Sequence, residues 1–143
     1  FFSAHTWYWG DRHRDIFLGP ERAAVISPAR WAQDNGLRFS SHLDTPVTPM
    51  LPLQAVWSAV FRQTYGGDVL GPEQRISVMD ALRAVTIDAA WQVFQEDNRG
   101  SLEPGKYADL VVLSGNPLNE PQAMRELQVE QTVIGGVTVY RRR

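Results

Sequence analysis

The run Arg38-Phe39-Ser40-Ser41-His42-Leu43-Asp44-Thr45-Pro46 places an imidazole and a carboxylate two residues apart at the end of a strand-like stretch. Side chains alternate along a strand, so Phe39 and Ser41 face one way and Ser40 and His42 the other. Asp44 falls where the strand gives way to a loop, because Pro46 lacks an N–H and restricts Thr45 before it. The carboxyl end of a strand is where (β/α) barrels and open α/β sheets put their acids and bases. An ionised aspartate is an acceptor only. The competing reading is that Asp44 merely starts an Asx-turn.

The chain around this run has 143 residues, the size of one ordinary domain. At 43% hydrophobic and 21% charged it is globular rather than disordered. A net charge of −2 gives no general attraction to nucleic acid, and Arg141-Arg142-Arg143 reads as a solvated basic end. With no cysteine, disulfides and thiolate metal sites are excluded, while the compartment stays open. No apolar run reaches the ~18–20 residues of a membrane helix. Phe1-Phe2-Ser3-Ala4 opens without methionine, in mid-pattern, which suggests numbering that starts inside a longer protein.

The elements that must position the run follow from punctuation. Phe1 to His5 reads as a strand, and His5 to Asp11, with Trp7, Tyr8 and Trp9, as an aromatic loop packed over a cavity or into a core. Ser27 as N-cap, Pro28 at the first helical position and Gly36 at C′ delimit a helix. Strand, loop, helix, strand is the rhythm of a parallel sheet. Pro46, Pro49 and Pro52 stiffen the next loop. Leu53, Val56, Trp57, Val60 and Phe61 then form one apolar helical stripe, which makes Trp57 a core residue. Ser77 to Asp80 resembles a capping box, and Thr86 can cap a second helix to about Phe94, with Ala89, Ala90, Val93 and Phe94 inward. From Glu96 onward the pattern is β: a Pro104-Gly105 turn, a strand over Ala108–Leu113, and a hairpin at Gly135-Gly136. A unit with about three strands and no helix cannot bury both faces alone.

Gly100-Ser101-Leu102-Glu103-Pro104-Gly105-Lys106-Tyr107-Ala108-Asp109-Leu110 and the apolar residues after it resemble the segment by which amidohydrolase-superfamily enzymes leave their barrel and re-enter a β-sandwich. Tyr8-Trp9-Gly10-Asp11, Leu18-Gly19-Pro20-Glu21-Arg22-Ala23, His42-Leu43-Asp44-Thr45-Pro46-Val47 and Ala81-Leu82-Arg83-Ala84-Val85-Thr86 are similar, in the same order, to amidohydrolase family 3, the branch of the N-substituted formamide deformylase-like enzymes. The resemblance covers essentially the whole chain. It implies an α/β fold: residues 1–95 would be the C-terminal part of a TIM-like (β/α)8 barrel, with Phe1–Ala4 and Phe39–Leu43 as its last two strands, and residues 96–143 would be strands of the composite β-sandwich. It further implies a divalent metal, zinc by preference, and a small-molecule amide-like substrate. Asp44 would be the aspartate that touches the metal and takes a proton from its water.

The family's metal-binding histidines come from earlier strands, starting with a His-x-His pair that this chain lacks. His42 and His5 are therefore not carried over as ligands; with Trp9 they stand as candidate substrate-binding residues. Arg62 and Arg75 are weaker candidates for holding a substrate anion, surface roles being the alternative. One carboxylate does not hold a catalytic zinc, which usually has three protein ligands. The expectation is a hydrolase whose isolated C-terminal fragment is inactive, needs the missing N-terminal portion of the barrel and self-associates through open strand edges. The rival reading is a non-catalytic, self-associating or small-molecule-binding module. Binding of nucleic acid and membrane is not expected.

Overall fold

In the computed structural model, which describes residues 1–143, helices occupy the chain up to Gln92 and strands follow, an α/β architecture. The helices are α1 (His5–Arg12, continued by a π-helical turn over His13–Phe17), α2 (Gly19–Ala24), α3 (Ala29–Asp34), α4 (Pro52–Phe61), α5 (Val78–Ala84) and α6 (Ile87–Gln92). Strands β1 (Leu110–Leu113), β2 (Val129–Ile134) and β3 (Val137–Arg141) form one antiparallel sheet in sequence order. Gly135 and Gly136 both have positive φ, as the two-residue turn between β2 and β3 demands. Gly105 has φ +95°, in keeping with the second corner of a type II turn after Pro104.

Phe1 and Ser41 lie side by side. The Phe1 amino group donates to Ser40 O (2.6 Å) and the His42 amide donates to Phe1 O (2.9 Å). This exchange around a single residue is the parallel pattern. The Ser3 and Ser41 hydroxyls meet at 2.7 Å. The pairing goes no further, which corrects the expected strand over Phe1–His5: the chain turns at Ser3 and becomes helix at His5. The expected aromatic loop is the body of α1. The fully buried residues of α1 are Thr6 and Gly10, while Trp7 is half-buried against the core, so most of the helical stripe is made of small residues and escapes a hydrophobic count. A Cβ at Gly10 would stand 2.8 Å from the Thr64 methyl, so the close approach requires glycine.

Helix α4 is the centre of the core. Val56 and Trp57 are buried together with Ala29, Ala59, Ile76, Ala81 and Met124. Met124 comes from a 3₁₀ segment, Pro121–Glu126, between β1 and β2, so this stretch of the later chain packs onto the helices. Ser77 caps α5 as expected: its Oγ accepts from the Asp80 amide at 3.1 Å. Ser77→Ala should lower stability by about 1 kcal/mol, read as a shift in the urea midpoint.

Three expectations need correction. Helix α3 begins at Ala29, with Pro28 rather than Ser27 as its N-cap; Ser27 sits at φ +46° and its hydroxyl donates to Phe2 O at 3.0 Å instead. Thr86 does not cap α6 with its side chain, because its hydroxyl bonds back to Leu82 O at 2.8 Å. Helix α6 ends at Gln92, and Val93 and Phe94 are exposed, Phe94 at 86%. Phe94 takes a left-handed backbone, φ +59°, and is turned away from the helix stripe.

Candidate active site

Asp44 stands in the turn that follows the Ser40–Leu43 segment, exposed, with φ +55°. Its carbonyl accepts from the Val47 amide at 2.7 Å, and the peptide to Pro46 downstream, Thr45-Pro46, is cis. The Thr48 hydroxyl bonds to Leu43 O across the same turn. The backbone of the tip is thus held while its carboxylate is open to a ligand.

Behind the tip lies a column of rings. Phe2 stacks on His42 on one side (centroids 5.2 Å, 22° between planes) and on His5 on the other (5.2 Å, 11°). His5 in turn meets His13 edge-on at 4.3 Å, with their Nε2 atoms 3.1 Å apart. His13 Nδ1 lies 2.8 Å from Trp9 O. A carbonyl oxygen only accepts, so Nδ1 carries the proton, and in the neutral ring Nε2 is the acceptor. His5 Nε2–H then donates to it, which leaves His5 Nδ1 with a free lone pair. Trp9 enters this arrangement through its carbonyl. The structure therefore joins His5 to His42 through Phe2. It adds His13, which no local pattern singles out; its eight-residue spacing from His5 brings the two rings together only once the segment is helical.

Burial, and then the charge of His13, push His5 down from its ordinary 6.5 to about 4. A base whose folded pKa is depressed binds fewer protons in the folded state than in the unfolded state between those values. Stability from this group is complete above pH 6.5, falls as the pH drops toward 4, and levels off below. Unfolding midpoints from pH 7.5 to 4 should fall more steeply for the wild type than for His5→Gln; equal slopes would remove His5 from the linkage.

The two arginines proposed as anion anchors behave otherwise. Arg62 is 1% exposed and donates to four backbone carbonyls: Leu70 O (2.7 Å), Ile26 O (2.9 Å), Ala24 O (3.0 Å) and Ser27 O (3.1 Å). Burial lowers its pKa to about 10, so it stays charged at neutral pH. With its donors committed to the backbone it is a staple, and it is neither an anchor nor at the surface. Arg75 is exposed and donates to Phe61 O at 3.1 Å. Asp11, in the Tyr8–Asp11 motif, accepts from the Gly66 amide at 2.8 Å and so ties α1 to the loop before Asp68.

No three His, Cys, Asp or Glu side chains of the chain converge in a way that could hold a metal ion. Asp44 and the ring column do not fit a resident metal by themselves. No helix is long and apolar enough to cross a membrane.

The chain is similar to several known proteins. An N-substituted formamide deformylase of Arthrobacter pascens is 37% identical over 118 residues, covering 82% of this chain and 22% of that protein. The Protein LONG AFTER FAR-RED 3 of Arabidopsis thaliana is 41% identical over 127 residues, covering 86% of this chain and 21% of that protein. Among solved structures, an amidohydrolase from Thermotoga maritima MSB8 superposes with a TM-score of 0.55 at 35% identity, over 77% of this chain and 24% of that one. The chain thus spans between a fifth and a quarter of the length of these relatives. A model of the amidohydrolase family matches residues 2–140, from the ring column through the last strand, and the chain belongs to that family.

Proposed function

We propose that this chain supplies the last two strands of an amidohydrolase barrel (residues 1–95) and strands of its β-sandwich (residues 96–143), in a metal-dependent enzyme that hydrolyses an amide or related C–N bond of a small molecule. The observation that carries this reading is the parallel pairing of Phe1 with Ser41. Parallel neighbours run on to the same end, so His5 and Asp44 follow their segments on one side, where barrels and open α/β sheets do chemistry. In this reading Asp44 takes a proton from the attacking water and passes it to the leaving nitrogen. His42 and His5, fixed by Phe2, line the approach of the substrate.

Asp44 alone does not make a metal site, so the other ligands of the ion, zinc by family resemblance, would come from outside residues 1–143. The chain alone should then hydrolyse nothing measurable. Kinetics of Asp44→Asn in the full enzyme, on an N-substituted formamide, test the assignment; near-normal turnover would reject it.

A second reading is favoured by a specific observation. All of β3 is exposed, including Val137, Val139 and Tyr140, and Phe94 stands free. Apolar groups of this extent suit self-association of a non-catalytic module. Light scattering together with metal analysis separates the two: a discrete metal-free oligomer that binds a small molecule favours the module.

A further inference from the structure

A second cavity, of about 570 Å³, opens between α1, the start of α4 and the 3₁₀ segment Pro121–Glu126. None of Asp44, His42, His5 and His13 lines it. Its walls are mostly apolar and aromatic, with Trp7, Met50, Leu53 and Trp57 among them, and its two charged residues are Arg125 and Glu126. The Arg125 guanidinium lies over the Trp7 ring at 3.9 Å and the Trp57 ring at 4.6 Å. Two indoles thus hold it by cation–π attraction; the rings are at 90° to each other, so the guanidinium lies flat on one of them at most, and none of its N–H groups makes a hydrogen bond within the chain. No carboxylate pairs with it, in contrast to Arg14, Arg30, Arg38, Arg99 and Arg142, which all meet one within 4.0 Å.

Two further features add donors beside Arg125. The first turn of α4, Pro52 to Gln54, lines it, and a helix N-terminus carries partial positive charge. Trp57, only 5% exposed, has an indole N–H with no acceptor. A buried donor without a partner is unfavourable.

We propose that this pocket binds a small monocarboxylate with an apolar or aromatic body, its carboxylate on the unpaired N–H groups of Arg125 and its body against Trp7, Met50 and Leu53. A planar guanidinium fork matches a carboxylate in two parallel hydrogen bonds. Arg125 is the one side-chain cation and Glu126 a carboxylate on the same wall, so a second negative charge on the ligand would go unbalanced, which selects a monoanion over a phosphate dianion. The site stands whether or not Asp44 carries protons, and its test reads binding alone.

Calorimetric titration of the protein with 3-phenylpropionate, 3-phenylpropan-1-ol and 3-phenylpropylamine holds the apolar body constant and varies the charge. The acid should saturate at millimolar concentration or below and bind at least about tenfold more tightly than the alcohol, with the amine weakest. Added salt should weaken the acid alone. Arg125→Gln should abolish the preference for the acid and leave the alcohol unchanged. The charge series on the wild type decides the matter even if a variant fails to fold. Equal binding of acid and alcohol, no binding of the acid up to about 10 mM, or an undiminished preference in Arg125→Gln would each overturn the site.

Discussion

Asp44→Asn should lower kcat of the full enzyme by about 10²–10⁴, the scale of lost general acid–base catalysis, with KM nearly unchanged. In barrier terms that is about 3–5 kcal/mol. Asparagine is the informative substitution for two structural reasons. Asp44 has φ +55°, and asparagine tolerates the left-handed region as aspartate does, whereas alanine adds strain. The Asp44 carbonyl, not its carboxylate, holds the turn through Val47. The melting temperature should therefore stay put, since exposed changes that break no contact stay within about 0.5 kcal/mol. A fall in kcat without a fall in stability assigns the proton transfer to this carboxylate. A fall in both would mean that the tip is a structural turn.

The largest loss of stability should come from Arg62→Met. Methionine fills most of the same space but donates nothing to the carbonyls of Leu70, Ala24, Ile26 and Ser27. Removing one side of a buried charged network destabilises by about 3–5 kcal/mol, a large share of the ~5–15 kcal/mol that holds a domain. Arg62→Lys should recover only part of this, because a compact ammonium cannot reach four acceptors that a planar fork spans. Gly71→Ala attacks the same place from the other side. Gly71 has φ +60°, and its Cβ would overlap Ala24 O, one of the four acceptors. Both changes act on one oxygen, so their combination should fall short of the sum. Urea midpoints of the three single variants and of the double mutant test this; full additivity would separate Gly71 from the staple.

Much of this molecule could be read from punctuation. Pro52 opens α4, Ser77 caps α5, Gly36 takes φ +65° after α3, and Gly135-Gly136 makes the hairpin, because each depends on the local conformational needs of one residue. The family resemblance was legible for a related reason, since its motifs contain the glycines and caps that set the backbone. The misreadings concern residues whose environment is set from far along the chain. Helix α1 looked like a loop because its fully buried residues are not its aromatics. Trp7 is covered instead by Trp57, Tyr65 and the stem and guanidinium of Arg125. Arg62 looked like a surface cation because nothing in its neighbourhood announces four carbonyls brought together from residues 24–27 and 70. At the candidate site, the turn that carries Asp44 could be picked out by the proline after it, whereas the partnership of His5 with His13 needed the helix.

Ser27 uses both of its polar ends. Its carbonyl belongs to the Arg62 cradle, and its hydroxyl holds the carbonyl of Phe2, whose ring separates His42 from His5. The scaffold's anchor and the histidines beside the tip are therefore two residues apart in mechanical terms. A variant that loosens the anchor should also disturb the packing around His42 before the fold is lost, and the chain cannot be softened at one place while the other stays rigid.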